Sequence, residues 1–439
     1  MSPGSGESAG ATGASGGDSG TSTGTGTSTG GGGGVGIWSK SFGDPGPQWP
    51  LTVAVSAKGT IAVSGSFAVS IDFGGGIFSH EGDSYACFIA TFDAEGNPGW
   101  SRKLELIGES FLPAPSLAFD AEDLVIAGGI YGMGDLGGGP LTSAGGGDVL
   151  VARFDSQGAP RWASRFGDEN DQRATSVAVD PSGAIVVTGI FSGGLDFGKD
   201  PLAIDSWATG MFLARLDPQG KALSVRGFAS GSFPQVGVDA KGTIVLTGAM
   251  EGTIDFGLGP VKSKGFTDLF VARFDAALNP SSAVTLGDGG VQWFTASAVD
   301  PAGDVVFTGF SNSEFVLGGA SLFGPGGSGG FAFKLDAKDQ VVWSRVVPQP
   351  GIFGAVALDT AGQAVLSGSG MLFSTLDASG KVLSTRSVEA KVVNVVGVAA
   401  TPAKGIVMIG VLEGTIDLGA GPLSSKGMED VVIAAFPFE

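Results

Sequence analysis

One segment recurs along this chain at a fixed interval, and that periodicity constrains the fold more than any other feature. Ile37-Trp38-Ser39-Lys40-Ser41-Phe42-Gly43 returns as Arg161-Trp162-Ala163-Ser164-Arg165-Phe166-Gly167, and Trp100-Ser101-Arg102 and Trp343-Ser344-Arg345 are further copies. Trp38 to Trp100 and Trp100 to Trp162 are each 62 residues, and Leu223 and Leu383 are expected at the same position in weaker copies. A long fixed period marks an array of units that bury their apolar faces on one another. Within one unit, Ser176–Asp180 alternates as a strand, Pro181-Ser182-Gly183 turns, and Ala184–Gly189 returns. A longer connection then leads to a third strand, Met211–Leu216, a turn at Asp217–Gly220 and a fourth strand from Lys221. The strands are rich in Val, Ile, Phe and Thr, and Gly stands where the chain reverses. The Asp-x-x-Gly turns recur through the chain, Asp accepting backbone N–H bonds and Gly supplying the positive φ.

Labelling the four strands A to D, A and C occur seven times each. D occurs six times after a C and once alone, at 38–42, ahead of every other strand. The chain therefore opens on an orphan D and ends on a C, Val431–Phe436, that lacks one. Pairing the two closes a ring and removes its free edge. The expectation is an all-β chain: a seven-bladed β-propeller of four-stranded blades over 37–439, closed by its N-terminal strand. In blade six, Ala364–Gly368 reaches Met371–Thr375 in two residues, long enough only for a hairpin. The B–C connection therefore lies within a blade, D–A crosses between blades, and strand A lines the channel.

Composition narrows the function classes. Gly is 79 of 439 residues while hydrophobic residues stay at 42%, so a large core forms around many turns. Lys and Arg number 24 against 43 Asp and Glu, a net charge of −19 that repels phosphate backbones and anionic lipid heads. Nucleic acid is not an expected partner. One cysteine, Cys87, and one histidine, His80, permit neither an intramolecular disulfide nor a zinc site of thiolates and imidazoles. Cys87 lies in an apolar alternation and reads as a buried strand thiol. No apolar run is long enough to span a membrane. Residues 1–36 are almost all Gly, Ser, Thr and Ala, a flexible linker of about 30–36 Å r.m.s. reach without a signal-peptide core. Such a linker suggests a mature lipoprotein whose signal and lipidated Cys have been removed, at the cell envelope or extracellular surface, with a frayed cytosolic tail as the alternative; a monomer is expected.

Val177–Asp180, Ile185–Gly189, Asp255-Phe256-Gly257 with Gly259-Pro260, Asp268–Asp275 and Trp-Ser-Arg together resemble the bacterial β-propeller repeats often called SBBP repeats. The likeness is to the long-repeat versions on myxobacterial cell-surface proteins, and it covers about 37–439. It implies a secreted or surface-attached, usually non-enzymatic propeller and carries no catalytic residues with it. Blade six departs from the pattern by lacking the Asp-Phe-Gly segment, and blade five has Phe315-Val316-Leu317-Gly318 in its place.

Candidate site residues are few. Asp72, Asp135, Asp196, Asp255 and Asp417 each precede Phe or Leu and then Gly; standing alone, they read as turn caps rather than calcium ligands. The dense cluster Asp168-Glu169-Asn170-Asp171 offers a weak calcium candidate in Asp168, Glu169 and Asp171, otherwise a solvated loop, and no other cofactor is expected. His80, near Glu81 and Asp83, lacks the positioned partner that a general base needs. Trp207, after Ile204-Asp205-Ser206, falls off the repeat and could stack on a sugar or a partner's side chain; Phe266 and Met428 occupy comparable loops. Tight turns should occupy one face of the ring, with B–C connections of roughly 15–20 residues and D–A crossings on the other. Recognition concentrates in variable loops on a rigid scaffold. The expected role is a non-enzymatic scaffold binding a protein or glycan through the long-loop face, with Trp207, Asp205, Phe266 and His80 as candidate contacts. A carbohydrate-acting propeller hydrolase or lyase and a purely structural envelope component are the alternatives. Blade six should leave a notch in the loop face.

Overall fold

A computed structural model describes residues 38–81, 85–107, 115–323, 327–347, 353–368, 371–387, 393–403 and 405–438. The linker 1–36 and Asp83 lie outside them. Among the described residues there is no helix, and the strands form seven four-stranded antiparallel blades, as the strand count requires. Blade three shows the order: A at Gln172–Val179, B at Ile185–Phe191, C at Gly210–Leu216 and D at Ala222–Phe228, each hydrogen-bonded to the next. The orphan strand pairs where expected. Trp38–Phe42 runs antiparallel beside Asp430–Pro437, with Trp38 opposite Ala435 and Phe42 opposite Val431, and completes blade seven.

The middle strands explain the sequence pattern. Ile61–Phe67, Ala86–Phe92, Ile244–Met250 and Asp268–Phe274 are buried at every residue, because a neighbouring blade covers each side of the sheet. Strands buried on both faces read as continuous apolar runs rather than as alternations. Cys87 sits in one of these runs; burial pushes its thiol up to about 12, which leaves it inert at neutral pH. Around the channel, strands A are stitched together by side chains. Val177 N donates to Ser116 Oγ at 3.2 Å, Val236 N to Ser176 Oγ at 3.1 Å, and Ser297 N to Gln235 Oε1 at 2.8 Å.

On the tight-turn face each D-strand indole covers the C–D turn of the next blade. Trp38 Nε1 donates to Ala94 O at 2.9 Å and Trp162 Nε1 to Pro218 O at 3.0 Å. The turn glycines therefore serve twice. Gly158 has φ +77°, and a Cβ there would lie 2.5 Å from the Trp100 ring; Gly220 has φ +83° and meets Trp162 in the same way. The turn Asp is a cap: Asp93 Oδ1 accepts Glu95 N at 3.0 Å and Asn97 N at 2.7 Å. One detail of the sequence reading is corrected here. Cross-strand register places Ser224 and Ser384, not Leu223 and Leu383, opposite the C-strand residues that Trp162 and Trp343 face elsewhere. Each leucine occupies the bulge position that Arg161 and Val342 hold in those blades, and both stand partly exposed.

The long B–C connections are not free loops. In blades one, three, four, five and seven each contains a separate small hairpin, such as Ser70–Asp72 with Ile77–Ser79 and Thr253–Asp255 with Pro260–Lys262. In blade two the hairpin is continuous with strands B and C, and its first arm pairs with the end of blade one's strand D, fusing two blades into one eight-stranded sheet. The tips lie back along the outer rim: Gly74 lies against Pro98 and Gly257 against Pro280, each proline opening its own blade's strand D. The Asp of each tip is a cap, as read from sequence. Asp255 Oδ1 accepts Gly257 N at 2.7 Å and Gly259 N at 3.0 Å, and Asp72, Asp135, Asp196 and Asp417 accept from the equivalent Gly N–H. The next residue plugs the seam to the preceding blade. Phe73 meets Phe42 at 5.2 Å between ring centroids, Phe197 meets Phe166 at 4.6 Å and Phe256 meets Phe228 at 5.2 Å. Arg102, Arg226 and Arg386 of the preceding strand D donate to the carbonyls of Leu136, Phe256 and Leu418. Among the described residues blade six has no such hairpin, and the outer rim is thinner there.

Three of the D–A crossings share a buried latch. After Gly43, Gly167 and Gly287 come Asp44, Asp168 and Asp288, and four residues later Gln48, Gln172 and Gln292, which open the next strand A. Each glutamine is packed with a C-strand aspartate of the preceding blade, Asp430, Asp148 and Asp268, and all six side chains are buried. A Cβ on any of the three glycines would collide with that pair. At the closing seam Gln48 Nε2 is fixed by Asp44 Oδ1 at 2.6 Å and Gly46 O at 2.7 Å. Its Oε1 and Asp430 Oδ1 are both left without a donor among the described residues. Burial, helped by the Asp44 charge, pushes the Asp430 carboxyl above its ordinary range against the pull of Lys426 and the Gly427 N–H.

Two outcomes follow from this packing. Gly158→Ala should destabilise the ring by about 2 kcal/mol or more in urea unfolding, whereas Gly138→Ala, with open space around it, should be nearly neutral. Equal effects would show that the indole seats do not hold the seams. Because the folded Asp430 keeps its proton to higher pH than the unfolded chain does, its contribution is present in acid and lost as pH rises through the folded pKa. Asp430→Asn, which can donate to Gln48 Oε1 at any pH, should gain in melting temperature over the parent between about pH 4 and about pH 8. A difference that stays flat across that range would mean the carboxylate is ionised and paired.

Candidate functional site

With the hairpins laid along the rim, the loop face consists of the D–A crossings, the return limbs of the B–C connections and the first residues of each strand A. The chain has seven Trp and two Tyr. Four Trp belong to the strand-D seams, and the other three, with both Tyr, are distributed over this face on blades one, two, three and five. Trp49 and Trp293 are the second residues of strand A in blades one and five. Tyr85 precedes strand C of blade one and meets Trp49 edge-to-face at 4.9 Å, and Trp293 lies 5.6 Å from Phe310. Trp207 is 85% exposed, Phe266 70%, Met428 68%, Phe233 65% and Trp293 45%. Phe233 also holds a positive φ of 52°, an uncommon conformation for a bulky residue. An apolar rim of this kind on an otherwise acidic surface marks an interaction site.

A cleft of about 390 Å³ opens on this face between blades two and three. Tyr131, at the end of blade two's strand B, forms one wall; Trp207, with Ser206, Ala208 and Thr209, forms the other. Arg173, Asp171 and Ser192 supply polar groups, and Ile190 and Phe191 the apolar floor. Local structure fixes both walls. Gly129 and Gly147 leave room for the Tyr131 ring, since a Cβ on Gly129 would lie 3.1 Å from Cε2. The Trp207 loop closes with Ala208 N donating to Asp205 O and Ile204 N to Gly193 O, both at 2.9 Å. Leu202 and Ile204 anchor that loop on the core, so the indole is free to face the solvent. Arg173 is exposed and has no acidic partner among the described residues.

Of the residues singled out in the sequence, Trp207 and Asp171 line this cleft. Asp205 lies in the same loop, exposed, holding the turn beneath Trp207 through its backbone carbonyl. Phe266 lies one blade on, its N–H donating to Gly290 O at 3.1 Å, and it does not line the cleft. His80 stands on blade one, its backbone N–H on Val69 O at 2.8 Å and its ring edge-on to Phe67 at 6.5 Å. Asp168 is occupied as the cap of its crossing. Its carboxylate accepts Asn170 N at 2.8 Å, Gln172 Nε2 at 2.6 Å and Gly194 N at 2.6 Å, and against burial these bonds hold its pKa below the ordinary range. Asp171 Oδ1 accepts Gly147 N at 2.9 Å, and Glu169 is exposed. Among the described residues no group of three or more His, Cys, Asp or Glu could hold a metal ion. Trp49, Trp293, Tyr131 and Arg173 escaped sequence reasoning. The signal was there in the Gln-Trp, Gln-Arg, Gln-Trp starts of three strands A, where a large or charged residue follows a buried glutamine.

No family model matches the chain, and no curated protein matches it. Solved structures similar to it are β-propellers in part. It is similar to the Neurospora crassa Pan2 WD40 domain, at 11% identity over 89% of each chain and a TM-score of 0.48. It is also similar to virginiamycin B lyase from Staphylococcus aureus, at 10% identity over 88% of this chain and 95% of that one, with a TM-score of 0.45. A third likeness is to a protein of unknown function from Bacteroides caccae, at 12% identity over 80% and 98% of the two chains and a TM-score of 0.39. At these identities none of the neighbours' chemistry is carried over to this chain.

Proposed function

We propose that this chain is a non-enzymatic recognition propeller of the SBBP kind, secreted or tethered at the cell surface, that takes a protein or glycan partner on its loop face. The observation that carries the reading is the presence on that face of every Trp outside the strand-D seams and of both Tyr, while the opposite face is trimmed to tight turns. Large, rigid aromatic side chains dominate binding energy at interfaces. The direction of the first strand supports the tether: Trp38 lies over the C–D turn of blade one, so the chain ahead of it enters on the tight-turn face and leaves the aromatic face outward. The net charge of −19 argues for a partner other than nucleic acid. Hydrolysis of a glycoside calls for two opposed carboxyl groups, and Asp171 is the single carboxylate lining the cleft.

The test is capture from native envelope material by the immobilised full chain. A Trp49→Ala/Trp207→Ala/Trp293→Ala variant should lose the captured partner while unfolding within a few degrees of the parent. A Lys58→Ala/Lys241→Ala variant, altered on the tight-turn face, should keep it. Full capture by the triple variant would overturn the loop-face assignment.

A further inference from the structure

We infer that the cleft between blades two and three is a binding subsite for a neutral sugar ring; this rests on the loop-face reading above and names the ligand class for one part of that face. A pyranose has an apolar C–H face and a rim of hydroxyls, each both donor and acceptor. Its site needs an exposed aromatic plane with donors and acceptors set around it. Trp207 supplies the plane: its indole is the most exposed of the large hydrophobics, on a loop pinned at Ile204 and Ala208. Tyr131 closes the facing wall. Arg173 brings uncommitted guanidinium donors, and Asp171, with one oxygen taken by Gly147 N, has the other available as an acceptor. Ser206 and Thr209 add hydroxyls that can act either way, and Ser192, whose Oγ donates to Asp171 O at 3.2 Å, adds an acceptor.

Other ligand classes fit less well. A nucleotide or an acidic sugar would place its anion beside Asp171 and within the field of a chain carrying −19. A protein surface requires about 1,000 Å² or more of contact, whereas a cleft of about 390 Å³ is the size of a small-molecule site. An apolar side chain would leave Arg173 and Asp171 desolvated without partners, at a cost that binding would have to overcome. An aromatic plane, a guanidinium and a carboxylate lining one cleft therefore select a neutral polyol ring.

The experiment titrates the full chain with gluco-, manno- and galacto-configured neutral hexasaccharides, and with an oligogalacturonate as the acidic counterpart, following tryptophan fluorescence and calorimetry. At least one neutral probe should bind saturably and more tightly than the uronate. Trp207→Ala should weaken it about thirtyfold and Arg173→Ala about tenfold, with melting temperatures unchanged. Failure of all neutral probes, tighter binding of the uronate, or a Trp207→Ala protein that binds like the parent would overturn the subsite. If the probes fail while the triple tryptophan variant still loses its envelope partner, the sugar assignment falls and loop-face recognition stands. If a neutral probe binds and capture is indifferent to the triple variant, the subsite stands and the wider reading falls.

Discussion

Every middle strand of this ring must be covered on both faces, and no blade can do that for itself. The predominantly apolar B and C strands are soluble only when a neighbour sits on each side, so seven incomplete sheets become one core by going round. The final seam carries the same demand as the other six. A strand supplied from the opposite end of the chain makes blade seven as complete as blade three, and ring closure is thus part of the core rather than an accessory to it.

The seams are held at three heights. On the tight-turn side the strand-D indoles cap the turns of the next blade, and the buried Arg273–Asp339 pair, at 2.8 Å, joins blade four to blade five. Along the rim the small hairpins drive Phe or Leu between consecutive outer strands and accept arginine bonds on their carbonyls. On the loop side the Gly-Asp…Gln latch fixes three of the crossings. With its seams secured by these buried devices, the loop face can carry large apolar side chains left substantially exposed, and it carries Trp207, Trp293, Phe233 and Phe266.

Most of the architecture was legible because it repeats. Strand number, blade register and the closing strand came from counting copies, and the capping role of Asp72 or Asp255 from the chemistry of a lone carboxylate before glycine. The rim hairpins were not legible as such. Their arms are two to four residues long, too short for a periodicity, and the fact that Gly74 reaches Pro98 is a tertiary contact with no local signature. The leucines misalign for another reason: an apolar residue matches Trp by character, whereas the 7-residue spacing from the turn Asp155 to Trp162 leads from Asp217 and Asp377 to Ser224 and Ser384. For the site, Trp207 was visible because it fell in a loop. Trp49 and Trp293 were hidden because tryptophan in a strand reads as core, and only the fold shows that the second residue of strand A emerges at the mouth of the channel.

The closing strand has a mechanical consequence. Strand Trp38–Phe42 runs from the tight-turn face toward the loop face, antiparallel to its partner, and the chain ahead of it leaves from the tight-turn end. A pull on that leading segment, resisted by anything gripping the loop face, acts along the strand axis. Its five residue pairs would then share the load in shear, instead of opening one after another like a zip. The indole of Trp38, lodged in the neighbouring blade's turn, sits at the loaded end as a stop. A ring closed in this way is oriented to stay shut under traction between its two faces.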